Sequence, residues 1–251
     1  MSPFVYRLAT RVTQYLLLPL YTRIKVTGVE NLPPTGPLII ASNHLNDTDP
    51  GILATRIDRM LVFMTKVELF KVPVLAQFLR AYGAFPVRRG EADLAALRLS
   101  SAALSEAKAL VIFPEGTREG PPEVLAKAHP GAALLALRHE VPVIPVAITG
   151  SGKLSLPGMF LRLDRRVRVT LTIGKPFVLD KPARINAEAV EAGTQRIMES
   201  IAALLPEGHR GYYEYIGHRE DDGASTSAAE AGDSAPTEIQ PGPQPSSEPR
   251  T

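Results

Sequence analysis

Leu38-Ile39-Ile40-Ala41-Ser42-Asn43-His44-Leu45-Asn46-Asp47-Thr48-Asp49-Pro50 is an apolar run, a polar loop, and a proline placed to open a helix. A short aliphatic run without polar alternation reads as a strand covered on both faces. Proline is well suited to the first position of a helix, because its fixed φ is already helical and its missing N–H has no partner there anyway. The stretch therefore reads as strand, loop, helix.

Outward from it the alternation repeats. Ile24–Val29, Leu61–Thr65, Gly83–Val87, Leu110–Phe113 and Val143–Thr149 are further strand candidates, and Pro37 opens the run already quoted. Val167–Ile173 alternates at period two, which predicts a strand with one face exposed. Leu94, Leu97, Ser101, Leu104 and Lys108 step at helical spacing, Gly131–His139 is rich in Ala and Leu, and Ala187–Leu205 carries an apolar stripe. The pattern predicts an α/β fold: a mixed, largely parallel sheet flanked by helices, with chemistry at the strand-end loops.

Two end segments differ from this body. Phe4, Val5, Leu8, Val12, Tyr15 and Leu16 fall on one helical face, with Arg7, Thr10, Arg11 and Gln14 opposite. This predicts an N-terminal amphipathic helix over residues 1–22, lying in a lipid interface or packed on the protein's own core. Arg7, Arg11 and Pro19 argue against a membrane span, and no cleavage pattern suggests a secretory signal. From Arg219 to Thr251 Ile239 is the only large aliphatic residue, so residues 219–251 are expected to form a disordered acidic tail. The catalytic domain is then expected over residues 23–218.

The net charge of +2 is unevenly spread. The tail holds two basic and seven acidic residues, which leaves residues 1–218 at +7. Such a body suits phosphate groups or lipid headgroups, and no nucleic-acid partner is expected. The absence of cysteine excludes a disulfide framework, a thiolate nucleophile and cysteine-based zinc sites.

Three clusters carry chemistry. His44 can accept a proton from an alcohol near neutral pH, and a carboxylate on its other nitrogen would set the tautomer. Asp49, just before Pro50, could equally be a helix N-cap, and Asp47 an ordinary turn residue. Phe113-Pro114-Glu115-Gly116-Thr117-Arg118 follows a buried run and can present N–H groups, a hydroxyl and a guanidinium to an anion. It can also be a turn with a structural ion pair. Arg88 and Arg89 end another strand and can clamp a phosphate, or simply face solvent. His44, Asp47, Asp49 and Glu115 could be ligands of a metal-dependent phosphohydrolase, although they match no recognised metal spacing.

In this order the clusters resemble the glycerolipid acyltransferase family. Asn43, His44 and Asp49 match its N-H-x-x-x-x-D motif; Gly83, Phe85 and Arg89 match its second; residues 113–118 reproduce its Phe-Pro-Glu-Gly-Thr-Arg motif. Residues 141–147, with Pro145, match its Val-Pro run, and Ile173-Gly174-Lys175-Pro176 also fits. Asn46, Arg88 and Glu119 depart from its commoner residues.

The resemblance implies the acyltransferase fold, with His44 as general base and Asp49 as its orienting carboxylate. Arg89 and Arg118 would sit at the acceptor phosphate, with Glu115, Gly116 and Thr117 shaping that site, and Val143 and Pro145 on a structural strand near the acyl donor. It implies acyl-CoA or acyl carrier protein as donor and a lysophospholipid as acceptor. The reaction would acylate the sn-2 hydroxyl of 1-acyl-glycerol-3-phosphate to give phosphatidic acid in phospholipid biosynthesis. Glycerol 3-phosphate, another lysolipid, or a non-catalytic membrane-binding role are the alternatives. Neither metal nor cofactor is implied, and the place of action would be the membrane surface, at the cytoplasmic face of the cell membrane. A single displacement needs no enzyme nucleophile, in keeping with the missing cysteine and the missing G-x-S-x-G elbow. His129 and His139 flank a helix and join no comparable cluster.

Overall fold

The computed structural model describes residues 2–87, 94–116, 124–154 and 167–213. Residues Met1–Gly217 form one compact unit. The expected acidic tail, residues 219–251, lies outside the described residues.

Seven strands form one sheet: β1 (Thr22–Thr27), β2 (Leu38–Ser42), β3 (Leu61–Lys66), β4 (Ala84–Val87), β5 (Ala109–Ile112), β6 (Val143–Thr149) and β7 (Val167–Ile173). Their order across the sheet is β1-β7-β6-β2-β5-β3-β4. All neighbours run parallel except β6 and β7. The sheet is thus mixed and largely parallel, as the strand–helix alternation predicts. The expected strands shift by a residue or two at their ends, where pairing rather than composition sets the limit.

The pleat sorts the core into two layers. Ile39 and Ala41 of β2, with Leu110 and Ile112 of β5, face one cluster; Leu38 and Ile40, with Ala109 and Val111, face the other. The first layer packs under helices α5 (Leu94–Ser105), α6 (Gly131–His139) and α7 (Ala187–Ala202). The second is covered by α1 (Pro3–Val12) and α3 (Asp49–Arg56). In β7 the alternation is realised as read: Val169, Leu171 and Ile173 are buried, while Arg168, Thr170 and Thr172 are not.

Local rules account for several element ends. Proline stands at the start of α1, α3 and α4 (Pro73–Ala81). Asn186 caps α7, its side chain accepting the Ala189 N–H at 2.9 Å. Gly28 closes β1 at φ +79°, where a Cβ would stand 1.9 Å from the Ile173 carbonyl oxygen. No larger residue fits there without moving the chain.

Three features depart from the sequence reading. Helix α4 is not expected from it; its apolar residues Val74 and Phe78 lie on the exposed side, so no buried stripe marks it. The N-terminal helix continues from α1 through a π-helical turn, Thr13–Leu17, into α2 (Leu18–Tyr21). That turn takes in one more residue per hydrogen-bonded ring than an α-helix, so it re-phases the helix face, as a pure 3.6 period would not. Asp49 does not serve as an N-cap: α3 has no side-chain cap, and the Asp49 carboxylate turns back toward the preceding loop.

The connections place the site. The chain leaves β2 through α3 to β3 on one side, and leaves β5 through α6 to β6 on the other, crossing opposite faces of the sheet. β2 and β5 are parallel neighbours. Adjacent strands whose connections diverge leave a crevice beyond their carboxyl ends, the topological switch point where α/β sheets bind ligands. His44 follows β2 into this crevice and Glu115 follows β5.

Candidate active site

Asn43 continues β2 beyond its last backbone pair. Its Nδ2 donates to the Ile148 carbonyl at 2.8 Å and its Oδ1 accepts the Ile148 N–H at 2.7 Å, so the side chain imitates one more residue of ladder against β6. This sets the direction in which His44 leaves the sheet. The loop is closed by Asn46, whose Nδ2 donates to the Leu154 carbonyl at 2.6 Å and whose Oδ1 accepts the Thr48 N–H at 3.0 Å. An amide performs both tasks at once, which gives the departure at position 46 a structural reason.

Within that loop His44 and Asp49 meet. His44 Nδ1 lies 3.0 Å from Asp49 Oδ2, and the same oxygen accepts the N–H groups of Leu45 and Asn46, each at 2.7 Å. Asp49 is fully buried. An oxygen receiving two backbone donors is held in acceptor geometry, so the imidazole supplies Nδ1–H and keeps its lone pair on Nε2. Phe113 stacks on the ring, with centroids 4.1 Å apart and planes at 22°. Among the described residues nothing hydrogen-bonds Nε2. The ring is thus fixed on one edge by a carboxylate and on one face by an aromatic, which equips the remaining nitrogen to take up a proton.

Glu115 ties the two strand-end loops together. Its Oε1 accepts the His44 N–H at 3.1 Å and its Oε2 the Ala126 N–H at 2.9 Å. Burial pushes its carboxyl above the ordinary range, against the two N–H donors and the nearby His44, while the Asp49 charge adds to the rise. Both oxygens serve the backbone, so Glu115 acts as a strut between loops. Among the described residues no group of three or more His, Asp or Glu side chains is arranged to hold a metal ion. The ligand set His44, Asp47, Asp49 and Glu115 of the hydrolase reading is not assembled.

A raised carboxyl has a readable consequence. Glu115 takes its proton in the folded state at a higher pH than in the unfolded chain, so its contribution to stability grows as pH falls toward the unfolded value of about 4.3 and shrinks as pH rises through the folded one. Glu115→Gln removes that titration. Urea unfolding of both proteins across this window is expected to show the difference moving in favour of Glu115 on acidification. A difference independent of pH would refute the assignment.

Gly116 has φ +70°, and a Cβ there would stand 2.6 Å from the His129 ring. His129 donates its N–H to the Pro114 carbonyl at 2.8 Å, and so lies over the Pro-Glu-Gly loop. Sequence reading joins His129 to no cluster; a glycine whose missing side chain leaves room for a ring further along the chain carries no periodic signal. Phe113 is legible as part of a motif but not as the stacking partner. Lys66 ends β3 in register with Val87, the residue before the Arg88–Arg89 pair, and adds a cation to the same end of the sheet. Arg88, Arg89, Thr117 and Arg118 lie outside the described residues, so the structure gives no geometry for the expected phosphate clamp.

Comparison with known proteins follows the same outline. The acyltransferase family model matches residues 23–149. A 1-acyl-sn-glycerol-3-phosphate acyltransferase of Streptococcus pneumoniae is 28% identical over 168 residues, 66% of this chain and 60% of its own length. One from Borreliella burgdorferi is 32% identical over 130 residues, 50% of this chain and 51% of its own. The chain thus spans less than two thirds of these relatives. The crystal structure of the 1-acyl-sn-glycerophosphate acyltransferase from Thermotoga maritima superposes with a TM-score of 0.56 at 22% identity, covering 80% of this chain and 78% of that one. That likeness bears on the fold.

Proposed function

Since the chain belongs to the acyltransferase family, we propose that it transfers a fatty acyl group from a thioester donor to the sn-2 hydroxyl of 1-acyl-glycerol-3-phosphate, forming phosphatidic acid. The observation that carries this reading is the buried His44–Asp49 pair at the switch point, with Nε2 left open. In the proposed step Nε2 takes the hydroxyl proton as the oxygen attacks the thioester carbonyl. The imidazolium formed is stabilised by Asp49 through Nδ1–H, and the C–S bond breaks as the thiolate leaves and takes up the proton. Acyl-CoA and acyl carrier protein both supply the required thioester. No metal or cofactor enters the scheme. Arg89 and Arg118 are proposed to hold the acceptor phosphate. Incubation of the purified chain with acyl-CoA and lysophosphatidic acid, with mass spectrometry of the lipids, tests the reading; unchanged lysophosphatidic acid with both donor types would overturn it.

The N-terminal helix supports a place at a membrane surface, which we propose to be the cytoplasmic face. The face carrying Tyr6 and Thr10 turns inward, while Arg7 and Arg11 stay exposed. Tyr6 and Thr10 are buried, and the Tyr6 hydroxyl donates to the Arg59 carbonyl and accepts the Leu61 N–H, both at 3.1 Å. Its apolar side faces out: Phe4 is 72% exposed, Leu8 54%, Tyr15 68% and Leu16 61%. A helix packed on its own core would bury the opposite face. This orientation favours an interfacial helix. Among the described residues no helix is long and apolar enough to cross a membrane. Because Tyr6 belongs to the core, point changes are the better probe than deletion. Phe4→Ser with Leu8→Ser is expected to weaken binding to anionic vesicles by about 10²-fold or more, given roughly 1.5–3 kcal/mol for each buried side chain. Co-sedimentation equal to that of the unaltered protein would count against the anchor.

A further inference from the structure

We infer that α4 is a second lipid-facing element, and that its apolar stripe joins the outward face of α1 in one surface that docks on an anionic bilayer. This rests on the interfacial reading of α1 and extends it to residues 69–78, a part of the chain that sequence reading does not connect with lipid.

Helix α4 buries little of itself: Ala76 is its one buried residue. Val74 is 81% exposed and Phe78, one turn on, 47%. Val72 and Leu69, in the turn that leads into the helix, are exposed as well. Val74 and Phe78 lie at i and i+4, so they share a stripe, and the next position on it is Tyr82. Tyr82 is buried, and it is the link to α1. Its hydroxyl donates to the Ala9 carbonyl at 3.0 Å and is bonded to Thr13 Oγ1, and its ring lies 6.4 Å from that of Tyr6. Phe78 packs on Tyr82 with centroids 4.6 Å apart. The exposed stripe of α4 therefore runs to the seam with α1.

Exposed apolar side chains gathered on two neighbouring helices mark a contact site. The charges beside it select the partner. α1 carries Arg7 and Arg11, Lys66 and Lys71 precede α4 and Arg80 lies in its last turn, with Glu68 the one acid in that stretch. Arg80 lies over the Phe70 ring at 5.6 Å, so a cation and an apolar ring are presented together. Exposed aliphatic and aromatic side chains fringed by arginine and lysine match a boundary between acyl chains and anionic headgroups. The position suits the proposed chemistry too. The turn before α4 starts where β3 ends, at the same end of the sheet as His44, with β5 between β3 and β2. A bilayer docked on α1 and α4 brings its headgroup layer beside the crevice where a lipid hydroxyl must arrive.

The chain contains no tryptophan, so Val74→Trp and, separately, Phe4→Trp each introduce a lone fluorescent reporter at an exposed position. The probe is vesicles of phosphatidylglycerol and phosphatidylcholine whose acyl chains carry bromine. Both reporters are expected to shift to the blue and to be quenched, and Val74→Asp with Phe78→Asp is expected to weaken vesicle binding by about tenfold or more at unchanged thermal unfolding. Quenching at position 4 without quenching at position 74 overturns the role of α4 and leaves the α1 anchor standing. Quenching at neither overturns both. A blue shift of the reporter at position 74 that follows protein concentration without vesicles identifies a second copy as the occupant and overturns the bilayer assignment.

Discussion

Replacing His44 with alanine is expected to lower acyl transfer by about 10²–10⁴-fold, the usual contribution of a positioned general base, while the protein remains folded. The structure supplies the reason for expecting both halves of that result. The loop around His44 is held without its ring: Asn43 pairs with Ile148, Asn46 with Leu154, and the His44 backbone N–H with Glu115. The two backbone donors to Asp49 also remain. Truncation removes the Nδ1 contact and the stacked face over Phe113, so the cost in stability falls in the ordinary range for one partly wedged side chain, about 1–3 kcal/mol. Turnover measured with acyl-CoA and lysophosphatidic acid, beside a urea unfolding curve, separates the two effects. Full turnover in the variant would remove the general-base role.

Asp49→Asn and Asp49→Ala are expected to part company in an informative way. Asparagine keeps an oxygen for the Leu45 and Asn46 N–H groups and so preserves most of the loop. It removes the charge that stabilises an imidazolium, while its oxygen, which serves all three contacts, still faces Nδ1. A fall in kcat of about 10²-fold or more, with a modest stability change, is expected. Alanine strands two backbone donors and the ring N–H in a buried place, and a destabilisation of about 2–4 kcal/mol is expected on top of the lost activity. If Asp49 served the fold alone, activity in the asparagine variant would follow its stability and stay near that of the unaltered protein. The pH profile of kcat gives a second reading, because a purely structural aspartate leaves its shape unaltered.

Much of this architecture is legible before any coordinates. Pro37–Ser42 and Leu110–Phe113 read as strands, observed as Leu38–Ser42 and Ala109–Ile112, because both faces of a parallel strand are covered and the aliphatic run is the direct result. Val167–Ile173 reads as half-covered because Arg168, Thr170 and Thr172 leave the core side to Val169, Leu171 and Ile173. The short helix α4 escapes, since nine residues with an outward apolar stripe look like neither a buried helix nor a loop. The amphipathic pattern of the N-terminus is likewise plain in the residues, but which face meets the protein is not. Tyr6, Tyr82 and Thr13 settle that, because their polar groups find partners across the seam.

By itself, then, the sequence determined the local facts: which runs are strands, that a histidine and two acids leave one strand end, and that a Pro-Glu-Gly turn leaves another. These depend on neighbours a few residues apart, where pleat, helical period and proline geometry act directly. Only the tertiary structure decided that β2 and β5 lie side by side, that Glu115 braces the His44 backbone, that Asp49 turns back to the ring rather than capping its helix, and that the apolar face of α1 looks outward. Apart from the local turn of Asp49, each of those is a choice between partners far apart in the chain, and in all of them buried polar groups compete for a limited set of hydrogen bonds. Such a competition is resolved by the whole packing, and no short stretch of residues contains its outcome.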